Sequence, residues 1–370
     1  MGPPRSAPAA PLILHVFPSF SVGGAQMRFA ALANHFGSAF RHLVVSLDGD
    51  LSCAERLDPG LDVTYPAIDA PKGVMLRNAL RFRTRLREWQ PHTMVTCNWG
   101  AIEFALANVR PVTRHVHVVD GFGPEEREQP IFRRVLVRRV ALAGGTVVLP
   151  SHNLMRIATG QWRLPASICR YVPNGIDLAR FAMAGSRAGR AGPPVIGTVA
   201  GLRPEKNIAR LLRAFAQVVH EFPSRLVVVG DGPERAGLQA LVHSLGVADR
   251  VTFTGQRDDT PALYAGFDIF ALSSDTEQMP LSVMEAMASG LPVAATDVGD
   301  VRPMVAPENA PFLSPLRDDA LAACLGALLH DPALRLRVGA ANLDKAHRDF
   351  GHAAMFAAWH ALWTGSAGPP

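Results

Sequence analysis

Apolar residues in this chain come in short runs, each followed by a turn bearing glycine or proline and then by apolar positions at helical spacing. Leu12–Phe17 is the first such run. Pro18–Gly24 follows, and Phe29, Leu32 and Phe36 then recur on one helical face. The pattern predicts a strand, a glycine turn and a helix. The same order returns at Val195–Val199, with a loop over Ala200–Asn207 and a helix carrying Ile208, Leu211, Leu212, Phe215, Val218, Val219 and Phe222. Leu226–Val229, Val251–Phe253, Asp268–Leu272 and Pro292–Ala295 continue the alternation. Strands that alternate with helices predict an α/β chain with parallel sheets. Ala353, Phe356, Trp359 and Trp363 form an apolar stripe on a last helix, which core packing accounts for.

Between the two series, Ala182–Pro194 is rich in Gly, Ala, Arg and Pro and has no periodicity, as expected of a linker. The predicted organisation is a Rossmann-like domain over 1–181, a linker over 182–194, a second Rossmann-like domain over 195–350, and a C-terminal helix and tail over 351–370 that packs back on the first domain. A chain of 370 residues suits two such cores. Its composition, 48% hydrophobic and 19% charged, is that of an ordered globular protein. No apolar run approaches the ~20 residues that cross a bilayer, and Leu12–Phe17 is too short for a signal-peptide core. The expectation is a cytoplasmic protein, soluble or peripheral to the inner face of the membrane, with a loose tail at Met1–Ala10. Cys53, Cys97, Cys169 and Cys324 are widely spaced, which argues against a zinc site or a disulfide framework. Charge is uneven: residues 1–180 hold 21 Lys and Arg against 13 Asp and Glu, and the remainder 16 against 19.

Candidate chemistry concentrates at Ser273–Gly290. There Glu277 and Glu285 stand eight residues apart, across a predicted strand-to-helix turn. Ligands of open parallel sheets bind at strand carboxyl ends, and helix amides there favour phosphate. A carboxylate can accept from two neighbouring hydroxyls, so Glu285 suits a ribose diol and Glu277 suits sugar hydroxyls. Pro280 fits a first helical position. Taken alone, the two glutamates read as a solvated loop residue and a helix-surface charge.

In order along the chain, Gly23-Gly-Ala-Gln26, Pro173-Asn-Gly-Ile-Asp177, Leu202-Arg-Pro-Glu-Lys-Asn207, Gly230-Asp-Gly-Pro233 and Glu277 with Glu285 resemble the retaining GT-B glycosyltransferases of family four. The resemblance covers nearly the whole chain, and it rests on motif order more than on any single motif. It implies two facing Rossmann-like domains, with a nucleotide sugar held mainly by the second and the acceptor mainly by the first. It implies further that Lys206 neutralises the donor diphosphate, that Glu285 holds the ribose, and that Glu277 meets donor-sugar hydroxyls beside the reacting carbon. Gly23 and Gly24 correspond to a glycine loop that allows close approach to the diphosphate. The usual Gly-Arg-Leu is here Ala200-Gly-Leu202, with the arginine displaced to Arg203. The usual Phe-Gly-Leu is Met279-Pro-Leu281, where the resemblance implies that the amides of Met279 and Leu281 face the sugar or phosphate. An active-site histidine corresponds to His115 or His117, which alternate to one face of a strand with Asp120 in the loop beyond. His117, nearer the Gly-rich loop, is preferred.

The implied activity is metal-independent transfer of a sugar, from a UDP-sugar or GDP-sugar donor to a cell-envelope glycan or lipid-linked acceptor, with no cofactor. Front-face attack is implied, so Glu277 orients the donor rather than forming a covalent bond. The alternatives are a nucleotide-sugar epimerase of the same architecture and a nucleotide-sugar-binding protein without catalysis. Asp48-Gly-Asp50 mimics a metal-binding Asp-x-Asp but reads as a solvated turn. Met75, Ala79, Phe82, Leu86 and Trp89 make an apolar stripe with Arg77, Arg81 and Arg85 on the same predicted helix, and Arg133, Arg134, Arg138 and Arg139 cluster further on. Each helix alone reads as packed on a sheet with a charged outer face. Together with the N-terminal charge excess they allow an anionic membrane surface as a partner. No recognition module points to nucleic acid.

Overall fold

The computed structural model describes residues 9–71, 73–121, 131–181, 192–257 and 259–366. It divides into two compact units, Met1–Pro173 with Ala354–Pro370, and Asn174–Ala353. The division falls at Pro173 rather than within 182–194. Phe181 explains why: the short helix Leu178–Phe181 buries it against Tyr264 in the core of the second unit. Of the stretch read as a linker, 182–191 lies outside the described residues.

The first unit is a seven-stranded parallel sheet in the order β3-β2-β1-β4-β5-β6-β7. Its strands are β1 Leu12–Phe17, β2 Arg41–Ser46, β3 Val63–Thr64, β4 Thr93–Cys97, β5 Arg114–Val118, β6 Thr146–Leu149 and β7 Cys169–Tyr171. Alternation along β1 sends side chains to both faces. Ile13 and Phe17 join Phe29 and Leu32 of helix Gly24–Phe36 and Trp359 and Trp363 of helix His352–Thr364. Leu14 and Val16 join Phe82, Leu86 and Phe104 on the opposite face. The last helix therefore completes the core of the first unit, as its tryptophan stripe predicts.

The second unit is a six-stranded parallel sheet, β10-β9-β8-β11-β12-β13. It comprises β8 Val195–Val199, β9 Arg225–Val229, β10 Val251–Gly255, β11 Ile269–Leu272, β12 Val293–Thr296 and β13 Leu313–Ser314. Ile196, Leu226, Val228, Ile269 and Ala271 pack under helices Ile208–Val218 and Asp318–His330. Val229, Phe270, Leu272 and Val293 pack under Met284 and Met287. Both sheets reverse strand order once, at β1/β4 and at β8/β11. Such a switch point leaves a crevice outside the strand carboxyl ends, between loops that run to opposite faces.

Candidate active site

In the second unit, the loop after β8 and the loop after β11 meet at the switch point. Asp275 N donates to Glu205 O at 2.9 Å, and Ser273 Oγ to Lys206 O at 3.1 Å. Asn207, in the left-handed region at φ 42°, caps helix Ile208–Val218 by accepting from Arg210 N, while its Nδ2 donates to Asp275. Arg210 Nη1 in turn donates to Ser273 O and Asp275 Oδ1, at 2.8 and 2.7 Å. With its backbone so held, Lys206 places Nζ 2.6 Å from Glu277 Oε1, and Ser274 Oγ donates to the same oxygen at 2.7 Å. Glu277 is nearly buried and Lys206 about a quarter exposed. A cation and a carboxylate, 71 residues apart in sequence, thus share one point of the crevice.

Glu285 belongs to a separate cluster on helix Leu281–Ala288. Tyr264 Oη donates to its Oε2 at 2.8 Å and lies 3.1 Å from Ser282 O. Burial raises the Glu285 carboxyl to about 7, against lowering by the Tyr264 hydrogen bond and by Arg180. Met279 is buried and Leu281 partly so. Among the described residues, the amides of Met279 and Leu281 donate to no protein acceptor. Arg203 is exposed and makes no ion pair among the described residues. Tyr264, buried and hydrogen-bonded to Glu285, was not recognisable from sequence as part of the site.

In the first unit, Gly23 and Gly24 lie at the β1/β4 switch point and open helix Gly24–Phe36. Gly23 has extended backbone, φ −165°, and no side chain caps the helix. A Cβ on Gly23 would come 2.8 Å from Oε1 of the Gln26 side chain, whose Nε2 donates to Ser19 O at 2.7 Å. His117 lies inside β5, 2% exposed, opposite Thr96 of β4. Thr96 Oγ1 sits 2.8 Å from both His117 Nδ1 and His115 Nε2. The hydroxyl has one proton, so it donates to one ring and accepts from the other. Burial holds both imidazoles below their ordinary value, His115 at about 4, and neighbouring His115 and Arg138 press His117 further down.

Asp120, not His117, stands beyond the carboxyl end of β5. Its carboxylate takes two hydrogen bonds from Arg28, at 2.5 and 2.8 Å, and its backbone N donates to Asn98 Oδ1. The Arg28 guanidinium also lies 5.5 Å from the Trp359 ring centroid. Arg28 carries no sequence signal, because its partner is 92 residues away. Asp48 and Asp50 form a turn: Asp48 Oδ1 accepts from Ser46 Oγ and Asp50 N, and Asp50 Oδ1 accepts from Ser52 N.

Two family models match successive parts of the chain, Glycosyltransferase Family 4 over residues 22–180 and Glycosyl transferases group 1 over residues 193–331. The chain belongs to the group 1 glycosyltransferases of family four. It is 31% identical over 153 residues to an N-acetyl-alpha-D-glucosaminyl L-malate synthase of Bacillus anthracis, covering 41% of this chain and 40% of that protein. It is 37% identical over 152 residues to a GDP-mannose-dependent alpha-mannosyltransferase of Mycobacterium tuberculosis, covering 38% and 37%. The chain thus spans about two fifths of the length of these curated relatives. The crystal structure of Anabaena HepE in complex with UDP and glucose matches at a TM-score of 0.80 and 21% identity, over 96% of this chain and 100% of that one. At that identity the match establishes the fold, GT-B, with two Rossmann-like parallel-sheet units.

Proposed function

We propose that this protein transfers a sugar from a nucleoside diphosphate sugar to a cell-envelope glycan or lipid-linked acceptor, with retention of anomeric configuration and without a metal. The observation that carries this reading is the Lys206–Glu277 pair at the β8/β11 switch point, 2.6 Å apart. A lone structural ion pair would need neither the crevice nor the amides of Met279 and Leu281 left without protein acceptors. Support also comes from the relatives, one named as GDP-mannose-dependent and one solved with UDP and glucose.

In this reading the donor diphosphate takes Lys206 from Glu277, and the ammonium neutralises the charge that develops on the leaving phosphate. Glu277, still held by Ser274, accepts from donor-sugar hydroxyls. Glu285 accepts from the ribose diol, with Tyr264 fixing one carboxylate oxygen. The bond from the anomeric carbon to the phosphate oxygen breaks, and the acceptor oxygen bonds to the same face. The acceptor proton passes to the departing phosphate, so no enzyme nucleophile is required. His117, a neutral imidazole inside β5, remains the candidate histidine of the first unit, with Asp120 and Arg28 as the polar pair at the strand end beyond it.

Thermal stabilisation by a panel of nucleoside diphosphate sugars tests the donor site. A donor that stabilises the wild type but not Glu285→Gln supports it. Equal stabilisation of both proteins removes Glu285 from the site, and no stabilisation by any donor overturns the reading. A product of inverted configuration, seen by NMR with that donor, would refute retention.

A further inference from the structure

On the first unit, two helices carry apolar side chains left in water. Helix Phe132–Leu142 buries Val135, Ala141 and Leu142, yet Phe132 is 81% exposed, Leu136 53% and Val140 49%. These three stand four residues apart and make one outward stripe. Arg134 and Arg138 turn toward tryptophans, at 5.0 Å from Trp99 and 4.1 Å from Trp162. Arg133 and Arg139 remain on the exposed side, and the helix contains no acidic residue. On helix Met75–Trp89, Phe82 and Leu86 enter the core, while Leu76 is 77% and Leu80 70% exposed, flanked by the exposed Arg77 and Arg81. Both helices pack against the short helix Ile102–Ala107, so the two stripes belong to one layer of helices.

Single exposed apolar residues are ordinary, but two stripes of them among arginines in one layer mark an interaction surface. We propose that this helical layer docks on an anionic lipid surface. Such a surface accepts Phe132, Leu136, Leu76 and Leu80 into its acyl boundary while its phosphates meet Arg133, Arg139 and Arg77. Charge disfavours a second copy of the chain, since a two-fold pairing would set Arg133 and Arg139 against the same arginines with no acid on that helix to receive them. Docking is independent of the donor-site reading, although it suits a lipid-linked acceptor.

The test is co-sedimentation of the full-length protein with vesicles of phosphatidylcholine alone or mixed with phosphatidylglycerol. The wild type is expected on the mixed vesicles only, with binding that falls as salt rises. Phe132→Ser with Leu136→Ser should lower partitioning by about tenfold or more. Arg133→Gln with Arg139→Gln should lower it by about fivefold or more, with the apolar stripe intact. Circular dichroism and donor-induced stabilisation should be unchanged in both variants, which separates docking from folding. No binding, equal binding to both vesicle types, or undiminished binding by both variants would overturn the proposal. So would a lipid-free dimer that Phe132→Ser with Leu136→Ser converts to monomer. Absence of donor stabilisation with intact vesicle binding would sink the transferase reading and leave this one standing.

Discussion

Glu285 titrates where a surface carboxylate would not, because burial raises it to about 7 while only one of its oxygens is held by Tyr264. The ionised form is the one that accepts from both hydroxyls of a diol. Donor affinity should therefore strengthen as pH rises through about 7. Glu285→Gln should weaken the donor and flatten that dependence. Tyr264→Phe removes a hydrogen bond that favours the carboxylate, so the midpoint should move to higher pH. Donor KM measured against pH checks all three, and an unchanged profile in Glu285→Gln would take the titration away from this residue. Lys206→Ala should lower kcat by about 10²- to 10³-fold in single-turnover assays, the cost of removing one stabiliser of transition-state charge. Asp48→Asn should leave turnover intact, because both Asp48 and Asp50 are spent on turn hydrogen bonds. Loss of metal-dependent activity in that variant would refute the metal-free reading.

The Gly230-Asp-Gly232 turn does its work at the scale of elements. Gly230, at φ +131°, would bring a Cβ to 1.9 Å from Ala200 O, and a Cβ on Gly232 would come 2.5 Å from Leu202 O. Close approach of the β9 loop lets Asp231 O accept from Leu202 N and Leu202 O accept from Glu234 N. These bonds hold the loop that carries Lys206. Gly230→Ala should therefore lower the stability of the second unit by at least ~2 kcal/mol, through strained backbone and overpacking. It should also weaken donor binding in parallel; denaturant melts and donor titration measure the two effects. The six apolar runs named from the sequence are strands, with ends moved by one or two residues because hydrogen bonding sets them, whereas β2, β3, β4, β6, β7 and β13 were not read from it. Gly230 was readable as part of a turn, whereas its collision partner belongs to another strand's loop.

Across the molecule, buried titratable groups pull the two units in opposite directions with pH. His15, His42, His115 and His117 are all buried in the first unit and all held below 6.5, His42 and His115 at about 4. Each contributes stability that is present above 6.5 and lost as pH falls toward 4, because only the unfolded chain takes up the proton. Glu285 has the reverse sign: its folded value is raised from 4.5 to about 7, so its contribution is present below 4.5 and lost as pH rises through about 7. All five tryptophans, Trp89, Trp99, Trp162, Trp359 and Trp363, lie in the first unit. Acidification from pH 6.5 toward 4 should therefore change tryptophan fluorescence before it removes the circular dichroism of the second unit. Coincident transitions would contradict this assignment.

The alternation of strands with helices, two parallel-sheet units, the C-terminal helix on the first of them and family membership all follow from apolar periodicity and motif order. Those are local signals, written in neighbouring residues. The division at Pro173, the pairing of Lys206 with Glu277, the seat of Glu285 against Tyr264, the Arg28–Asp120 bridge and the outward stripe at Phe132 came only with the folded chain. Each joins residues distant in sequence or depends on which side of a helix meets the sheet. Spacing sets which side chains share a face, but desolvation and the reach of a partner are properties of the packed molecule.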